Sequence, residues 1–243
     1  MARVIAVMNQ HQGVGKTTMT MNLGQALAEL SQTVMLIDMV PDADLTGQFV
    51  AAQNKSIYQC LLGQESIDDV SHKVADNLTL IPANTALLQF QKEKGILLKQ
   101  GRRLEKLITP VEQNIILIDT PRQPSLLMLN TILAADEIII PIQADYTSLQ
   151  GLVKAVKLFK RLKRVTKGAK LWVAINAYQA TVASQEEILK AIQTVFPQRV
   201  LKTTVHYHEQ LDGSLQSVFN LAVDLAVDDY LGLAKNILTG EVF

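Results

Sequence analysis

The chain has little of what stabilises small or secreted proteins. It contains one cysteine, Cys60, among 243 residues, so it can form no intramolecular disulfide. It also has no cluster of cysteines and histidines that would predict a zinc or iron–sulfur centre. We therefore expect a reducing, cytoplasmic compartment. Hydrophobic residues make up 48% of the chain, which is enough to bury a large core without such supports.

Long apolar runs and an excess of one charge are lacking as well. No apolar stretch approaches the roughly 20 residues of a membrane-spanning helix, and the first residues show no signal-peptide pattern. We expect a soluble protein. Basic and acidic residues number 23 each, so the formal net charge is zero. Any binding of nucleic acid must therefore depend on a local basic patch.

Apolar segments typical of buried strands alternate with segments of helical periodicity. This alternation predicts an α/β fold, with a mostly parallel twisted β-sheet flanked by helices on both faces. The predicted strands are Val4–Val7, Val34–Ile37, Leu78–Ile81, Ile115–Ile118, Glu137–Ile142, Leu171–Ile175 and Arg199–Thr203. The predicted helices are Lys16–Leu30, Ser125–Ala134, Tyr146–Lys163, Ser184–Val195 and Asp224–Leu238. No repeat or linker interrupts the pattern, so we expect one domain over residues 1–243.

A glycine-containing loop lies between the first predicted strand and the first predicted helix. Such a loop cradles phosphate because its backbone N–H groups and the positive end of the helix point at the anion. Lys16 would reach the β and γ phosphates, and Thr17 would offer its hydroxyl to Mg²⁺. The cofactors predicted here are ATP or ADP together with Mg²⁺. The predicted nucleotide-binding residues of the loop are Gln12, Gly13, Val14, Gly15, Lys16, Thr17 and Thr18.

Two predicted strands run directly into aspartate. Asp38 and Asp119 follow apolar runs and so fall at the carboxyl edge of the sheet, where open α/β folds bind their ligands. Asp119 is the natural Walker B residue, which holds Mg²⁺ directly or through water. We predict a magnesium site formed by Thr17, Asp38 and Asp119.

Three motifs resemble the ParA/MinD family of deviant Walker A ATPases, closest to its ParA/Soj partition branch. Residues 9–18 are similar to NQKGGVGKTT, residues 34–46 to VLLIDLDPQGNLT, and residues 115–152 to IIIDTPP…AADEVLIPIQAEYYALEGL. The motifs have the family's order and spacing. The resemblance implies a P-loop NTPase fold, a homodimer formed with ATP, and a partner that is a ParB-like protein or a cargo adaptor. It also adds Asn176, at the end of a predicted strand, as an adenine-recognition residue.

The chain departs from the family pattern where the family does its chemistry. The signature lysine, five residues before the Walker lysine, is His11, which supplies no fixed positive charge near pH 7. The next family glycine is Gln12, whose side chain would crowd the phosphate cradle. The water-positioning aspartate is Val40, which cannot orient water. We therefore assign no catalytic residue and expect ATP binding with weak or absent hydrolysis. An active enzyme that uses Asp42 or Asp44 as the carboxylate is an alternative.

A stretch without acidic residues, Tyr146–Ser184, is a candidate DNA-binding surface. Its apolar residues recur at helical spacing, which predicts an amphipathic helix with a basic face. Members of the ParA/Soj branch bind DNA without sequence preference, so the resemblance favours this use. The candidate residues are Lys154, Lys157, Lys160, Arg161 and Arg164. A solvated lysine-rich face is the alternative, and the family's later TVIPRNVRLSEAPS arginines are absent from the similar segment 203–211.

These observations predict a ParA-like nucleotide-dependent switch for plasmid or chromosome partition, cytoplasmic and associated with the nucleoid. The last predicted helix lacks the basic face of a membrane-surface helix, so we expect no membrane partner. His206 and His208 lack a third ligand and are predicted to be loop residues. The alternative function is a pseudo-ATPase that positions a pilus, flagellum or other cargo without binding DNA.

Overall fold

The computed structural model describes residues 2–92, 101–162, 166, 168–211, 216–221 and 223–243. Within these ranges one sheet contains the strands β1 Arg3–Val7, β2 Val34–Asp38, β3 His72–Ala75, β4 Leu78–Ile81, β5 Ile115–Asp119, β6 Glu137–Ile142 and β7 Lys170–Ile175. Their order is β3-β4-β2-β5-β1-β6-β7. Every neighbouring pair is parallel except β3 with β4, so the sheet is mostly parallel, as predicted.

Helices follow most of the strands. In the described part of the chain they are α1 Lys16–Glu29, α2 Ile57–Leu61, α3 Ile67–Val70, α4 Leu87–Lys92, α5 Arg103–Ile108, α6 Leu126–Ala134, α7 Tyr146–Leu162, α8 Ala183–Val195, α9 Val218–Leu221 and α10 Asp224–Thr239. Short 3₁₀ turns cover Thr46–Gln48 and Glu209–Leu211. None of these described helices is both long enough and apolar enough to span a bilayer.

The core lies on both faces of the sheet because alternate strand residues point to opposite sides. Leu36 and Leu117 belong to the cluster that packs under α1 and α10. Ile37 and Ile118 belong to the cluster on the other face, under α2 to α6. A third cluster joins β6 and β7 to α7 and α8. Helix α1 packs so closely that a Cβ on Gly24 would lie 2.5 Å from Leu36 Cδ2.

The predicted strand over Arg199–Thr203 is wrong. Val200 forms only an isolated parallel bridge with Val173, and Leu201 an isolated antiparallel bridge with Val242. The pairing with β7 is interrupted at Thr203, whose backbone N–H donates to the side chain of Asn236 at 2.6 Å, and it resumes where the Val205 backbone N–H donates to the Ile175 carbonyl at 2.9 Å. The other six predicted strands are confirmed to within one residue at each end.

Candidate nucleotide-binding site

A cleft of about 800 Å³ opens at the carboxyl edge of the sheet. Loops that follow five parallel strands, β1, β2, β5, β6 and β7, contribute its lining. This is the edge at which open α/β folds bind ligands. The cleft contains the predicted loop residues except the buried Val14.

The glycine loop has the backbone conformation that a phosphate cradle needs. Gly13 and Gly15 have φ angles of 75° and 83°, a region that residues with a Cβ rarely adopt. A Cβ on Gly15 would also lie 2.4 Å from Asn176 Nδ2. The Asn176 amide donates to the Val14 carbonyl at 2.9 Å, and the Gln143 amide donates to the Gly13 carbonyl at 3.3 Å. Side chains that follow β6 and β7 therefore hold the loop in place.

Lys16 is the first residue of α1, and its side chain is almost entirely buried. Its Nζ donates to the His11 carbonyl at 3.4 Å, across the loop. Burial lowers the pKa of Lys16; the Asp119 carboxylate opposes this shift and the Arg122 charge adds to it. A buried ammonium without a full counter-charge favours an anion in the cleft, because partner charges offset the cost of burying a cation.

Thr17 lines the cleft, and the fully buried Asp119 lies behind it. The Thr17 hydroxyl donates to Asp119 Oδ2 at 2.7 Å. Asp119 Oδ1 is buried and has no hydrogen-bond partner among the described residues. Burial raises the pKa of Asp119 to about 7, and the neighbouring Asp38 carboxylate adds to the increase. An unpartnered buried carboxylate oxygen beside a hydroxyl is suited to Mg²⁺, which takes oxygen ligands.

Asp38 lies opposite Asp119 in the register between β2 and β5. Its oxygens accept hydrogen bonds from the backbone N–H of Val40 at 2.9 Å, the backbone N–H of Thr46 at 3.0 Å and the Thr46 hydroxyl at 2.7 Å. Burial raises the pKa of Asp38 to about 6, although these hydrogen bonds lower it. Asp38 thus organises the loop after β2, and its predicted contact with Mg²⁺ stays a prediction.

The positions that depart from the family pattern all border this region. The His11 backbone N–H donates to Asn9 Oδ1 at 2.9 Å, which fixes the loop where the family has its signature lysine. Val40 lines the cleft and is partly buried. Asp42 and Asp44 also line it and are exposed. Both remain available as replacement carboxylates.

Gln12 is exposed and lines the mouth of the cleft. Its predicted crowding of bound phosphate remains a prediction.

The predicted DNA-binding residues are only partly described. Lys154 and Lys157 are exposed on α7, while Leu152 on the same helix is fully buried. The backbones of Lys160 and Arg161 belong to α7, but their side chains lie outside the description, as does the whole of Arg164. The described part of α7 therefore has a buried apolar face and an exposed face with lysines, as predicted.

Sequence reasoning missed two parts of the cleft. The segment 205–208 lines its far end, because the His206 backbone N–H and Nδ1 contact the Asp229 carboxylate of α10 at 2.8 and 3.1 Å. Only the fold brings this segment to the loop after β7. Arg122 also lines the cleft. It could have been found from its place three residues after Asp119, where the family motif has proline.

The fold and this loop together define a P-loop α/β protein. Residues 2–171 match the family model described as an AAA domain. The sporulation initiation inhibitor protein Soj of Bacillus subtilis is 30% identical over 216 residues, covering 84% of each chain. The chromosome partitioning protein ParA of Caulobacter vibrioides is 29% identical, covering 98% of this chain and 95% of that protein.

Solved structures agree with the fold. A plasmid partition protein from Borrelia burgdorferi superposes with a TM-score of 0.81 at 21% identity, covering 99% of each chain. Cobyrinic acid a,c-diamide synthase from Mycobacterium smegmatis, with a bound ATP analogue and magnesium, gives 0.83 at 22% identity, covering 98% of this chain and 95% of the synthase. The chain belongs to the ParA/MinD family of P-loop ATPases.

Proposed function

We propose that this protein is a nucleotide-dependent switch for plasmid or chromosome partition that binds Mg·ATP and hydrolyses it weakly or not at all. The observation that carries the proposal is the cleft floor. Lys16 and Thr17 line it, and Thr17 is hydrogen-bonded to the buried Asp119, whose Oδ1 has no described partner. Where the family has its signature lysine and its water-positioning aspartate, this chain has His11 and Val40.

Nucleotide binding follows from this arrangement. The backbone N–H groups at the start of α1 and the Lys16 ammonium would hold the phosphates. Thr17 and Asp119 would hold Mg²⁺, which neutralises charge on the phosphate oxygens. Asp38 would support the metal site through the loop after β2. Asn176, which borders both the loop and the cleft, would lie beside the nucleotide.

Slow hydrolysis follows from the substitutions. A missing cationic group at the transferred phosphate costs on the order of 10³-fold in rate. Val40 removes the carboxylate that would orient water. Asp42 and Asp44 line the cleft as exposed carboxylates, and this favours a second candidate, an active partition ATPase. Steady-state phosphate release in the presence of DNA separates the two candidates.

We also propose a homodimer with ATP, non-specific DNA binding by α7, and a ParB-like or cargo adaptor protein as partner. The exposed Lys154 and Lys157 support the DNA contact. The Soj and ParA relatives support a partition role, by their names. The protein would then act in the cytoplasm, on the nucleoid. Absence of DNA binding at low salt would leave the cargo-positioning function.

Calorimetry of Mg·ATP binding tests the cleft assignment. We expect the parent to bind and Lys16→Ala to bind about 10-fold to 100-fold more weakly, because charge-assisted hydrogen bonds contribute about 1.5–3 kcal/mol. Lys235→Ala, an exposed lysine on α10, is the matched control and should bind like the parent. Equal affinities for the parent and Lys16→Ala would show that the phosphates bind elsewhere.

A further inference from the structure

Arg122 brings a positive charge to the cleft at a position where the motif of the ParA/Soj branch has proline. It lies on the loop that leaves β5, three residues beyond Asp119. The side chain is exposed and lines the cleft together with Lys16 and Thr17. Its guanidinium has no hydrogen-bond or ion-pair partner within the described ranges. Arg122 therefore faces the cleft with a guanidinium that no described residue engages.

The charge of Arg122 is close enough to act on the phosphate-binding lysine. Together with burial, it lowers the pKa of Lys16. Two cations that face one cleft repel each other while the cleft holds no anion. A polyanion between them would relieve this repulsion and would bind both. The cleft is therefore suited to a ligand that carries more charge than Lys16 alone can neutralise.

The sequence shows a loss and a gain of cationic groups in the same cleft. His11 removes the signature lysine from the phosphate loop, and Arg122 adds a cation on the loop after β5. A guanidinium is always charged and can grip two phosphate oxygens at once through parallel hydrogen bonds. The imidazole of His11 has no such fork of parallel donors.

We propose that Arg122 binds the terminal phosphate of ATP from within the same subunit and thereby makes the cleft select ATP over ADP. The proposal rests on the proposed nucleotide-binding function. In the family pattern the corresponding charge is thought to come from a second copy of the chain. Arg122 instead recognises the triphosphate before any dimer forms. Hydrolysis stays slow because Val40 still leaves no carboxylate to orient water.

The test compares affinities for Mg·ADP and for Mg·AMPPNP, a non-hydrolysable ATP analogue, by calorimetry. We expect Arg122→Gln to weaken AMPPNP binding tenfold or more while ADP binding changes less than twofold, since only AMPPNP carries the terminal phosphate. The AMPPNP affinity of Arg122→Lys should lie between those of the parent and Arg122→Gln, because lysine keeps the charge and loses the forked geometry. Lys202→Gln, an exposed lysine outside the cleft lining, should change neither affinity.

Each other outcome overturns one proposal. If Arg122→Gln weakens both nucleotides equally, or weakens AMPPNP less than tenfold, Arg122 does not recognise the terminal phosphate. If the parent binds neither nucleotide, the proposed function itself fails. A thermal unfolding curve of Arg122→Gln like that of the parent establishes that the variant is folded, as expected for a substitution at an exposed position.

Discussion

Asp119 shows, at the scale of single residues, how a buried carboxylate lowers the stability of a protein that holds no compensating cation. Its carboxylate accepts one hydrogen bond from Thr17, and its second oxygen is buried without a described partner. Asp38 lies beside it and adds charge repulsion. A buried carboxylate of this kind is destabilising when charged, unless a cation compensates it. The metal-free protein should therefore be sensitive to pH through this residue.

The direction of this pH dependence follows from the pKa shift. Aspartate in the unfolded chain has its ordinary pKa of 3.8, whereas folding raises the pKa of Asp119 to about 7. Between these values the folded state holds a proton that the unfolded chain has lost, so stability falls as the pH rises. When the pH is raised from about 5 to about 8 in the absence of metal, we expect the free energy of unfolding to fall less for Asp119→Asn than for the parent.

Urea unfolding in a chelating buffer at both pH values measures this difference. Asp228→Asn, which changes an exposed aspartate on α10, is the control and should behave as the parent does. Identical pH dependence in the parent and Asp119→Asn would show that Asp119 is not the group that titrates. The same experiment with Mg²⁺ should stabilise the parent at the higher pH and leave Asp119→Asn unchanged.

At the scale of elements, periodicity predicted the buried strands and the long helices well. Strand β5 is apolar up to its final aspartate, and helix α1 has an apolar pattern from Met19 onward, so sequence alone located them. Strand β3 was missed because it is short, lies at the sheet edge and alternates only partly buried residues with exposed ones. Helices α2 and α3 were missed because they have five and four residues, too few to show a period.

The site was predictable to the extent that its residues are adjacent in sequence. The loop before α1 and the aspartates that end β2 and β5 could be read from motifs. The contact of Asn176 with Val14 joins residues far apart in the chain, and the anchoring of His206 by Asp229 does so too. Sequence alone gives no sign of such pairs, because tertiary packing creates them.

Helix α7 is the element on which DNA binding can be tested. We expect Lys154→Glu with Lys157→Glu to weaken binding to non-specific DNA, because two phosphate contacts would be replaced by repulsion. The slope of log affinity against log salt should flatten by roughly 2, since each neutralised phosphate contributes about 0.9. Fluorescence anisotropy with labelled duplex DNA over a salt series measures both quantities.

The control for α7 carries the same charge change on other elements. Lys202→Glu with Lys235→Glu alters two exposed lysines, one on α10 and one in the segment before it. This variant should keep the parent's salt slope. If both double variants bind DNA as the parent does, α7 is a solvated face.

At the scale of the whole molecule, the proposed switch depends on association of two copies. We expect the mass in solution to double with Mg·AMPPNP and to stay that of a monomer with Mg·ADP, as light scattering would show. Lys16→Ala should remain monomeric with either nucleotide at concentrations that saturate only the parent, because it binds the triphosphate more weakly. A monomer with both nucleotides in the parent would contradict a nucleotide-driven dimer.

The central claim is that the cleft holds ATP and scarcely hydrolyses it. The most direct measurement loads the protein with Mg·ATP labelled at the terminal phosphate and follows the label in the bound fraction over time. We predict that the bound nucleotide remains ATP, and that His11→Lys with Val40→Asp releases labelled phosphate about tenfold faster or more. Release from the parent as fast as from that double variant, or no bound ATP at all, would contradict the account.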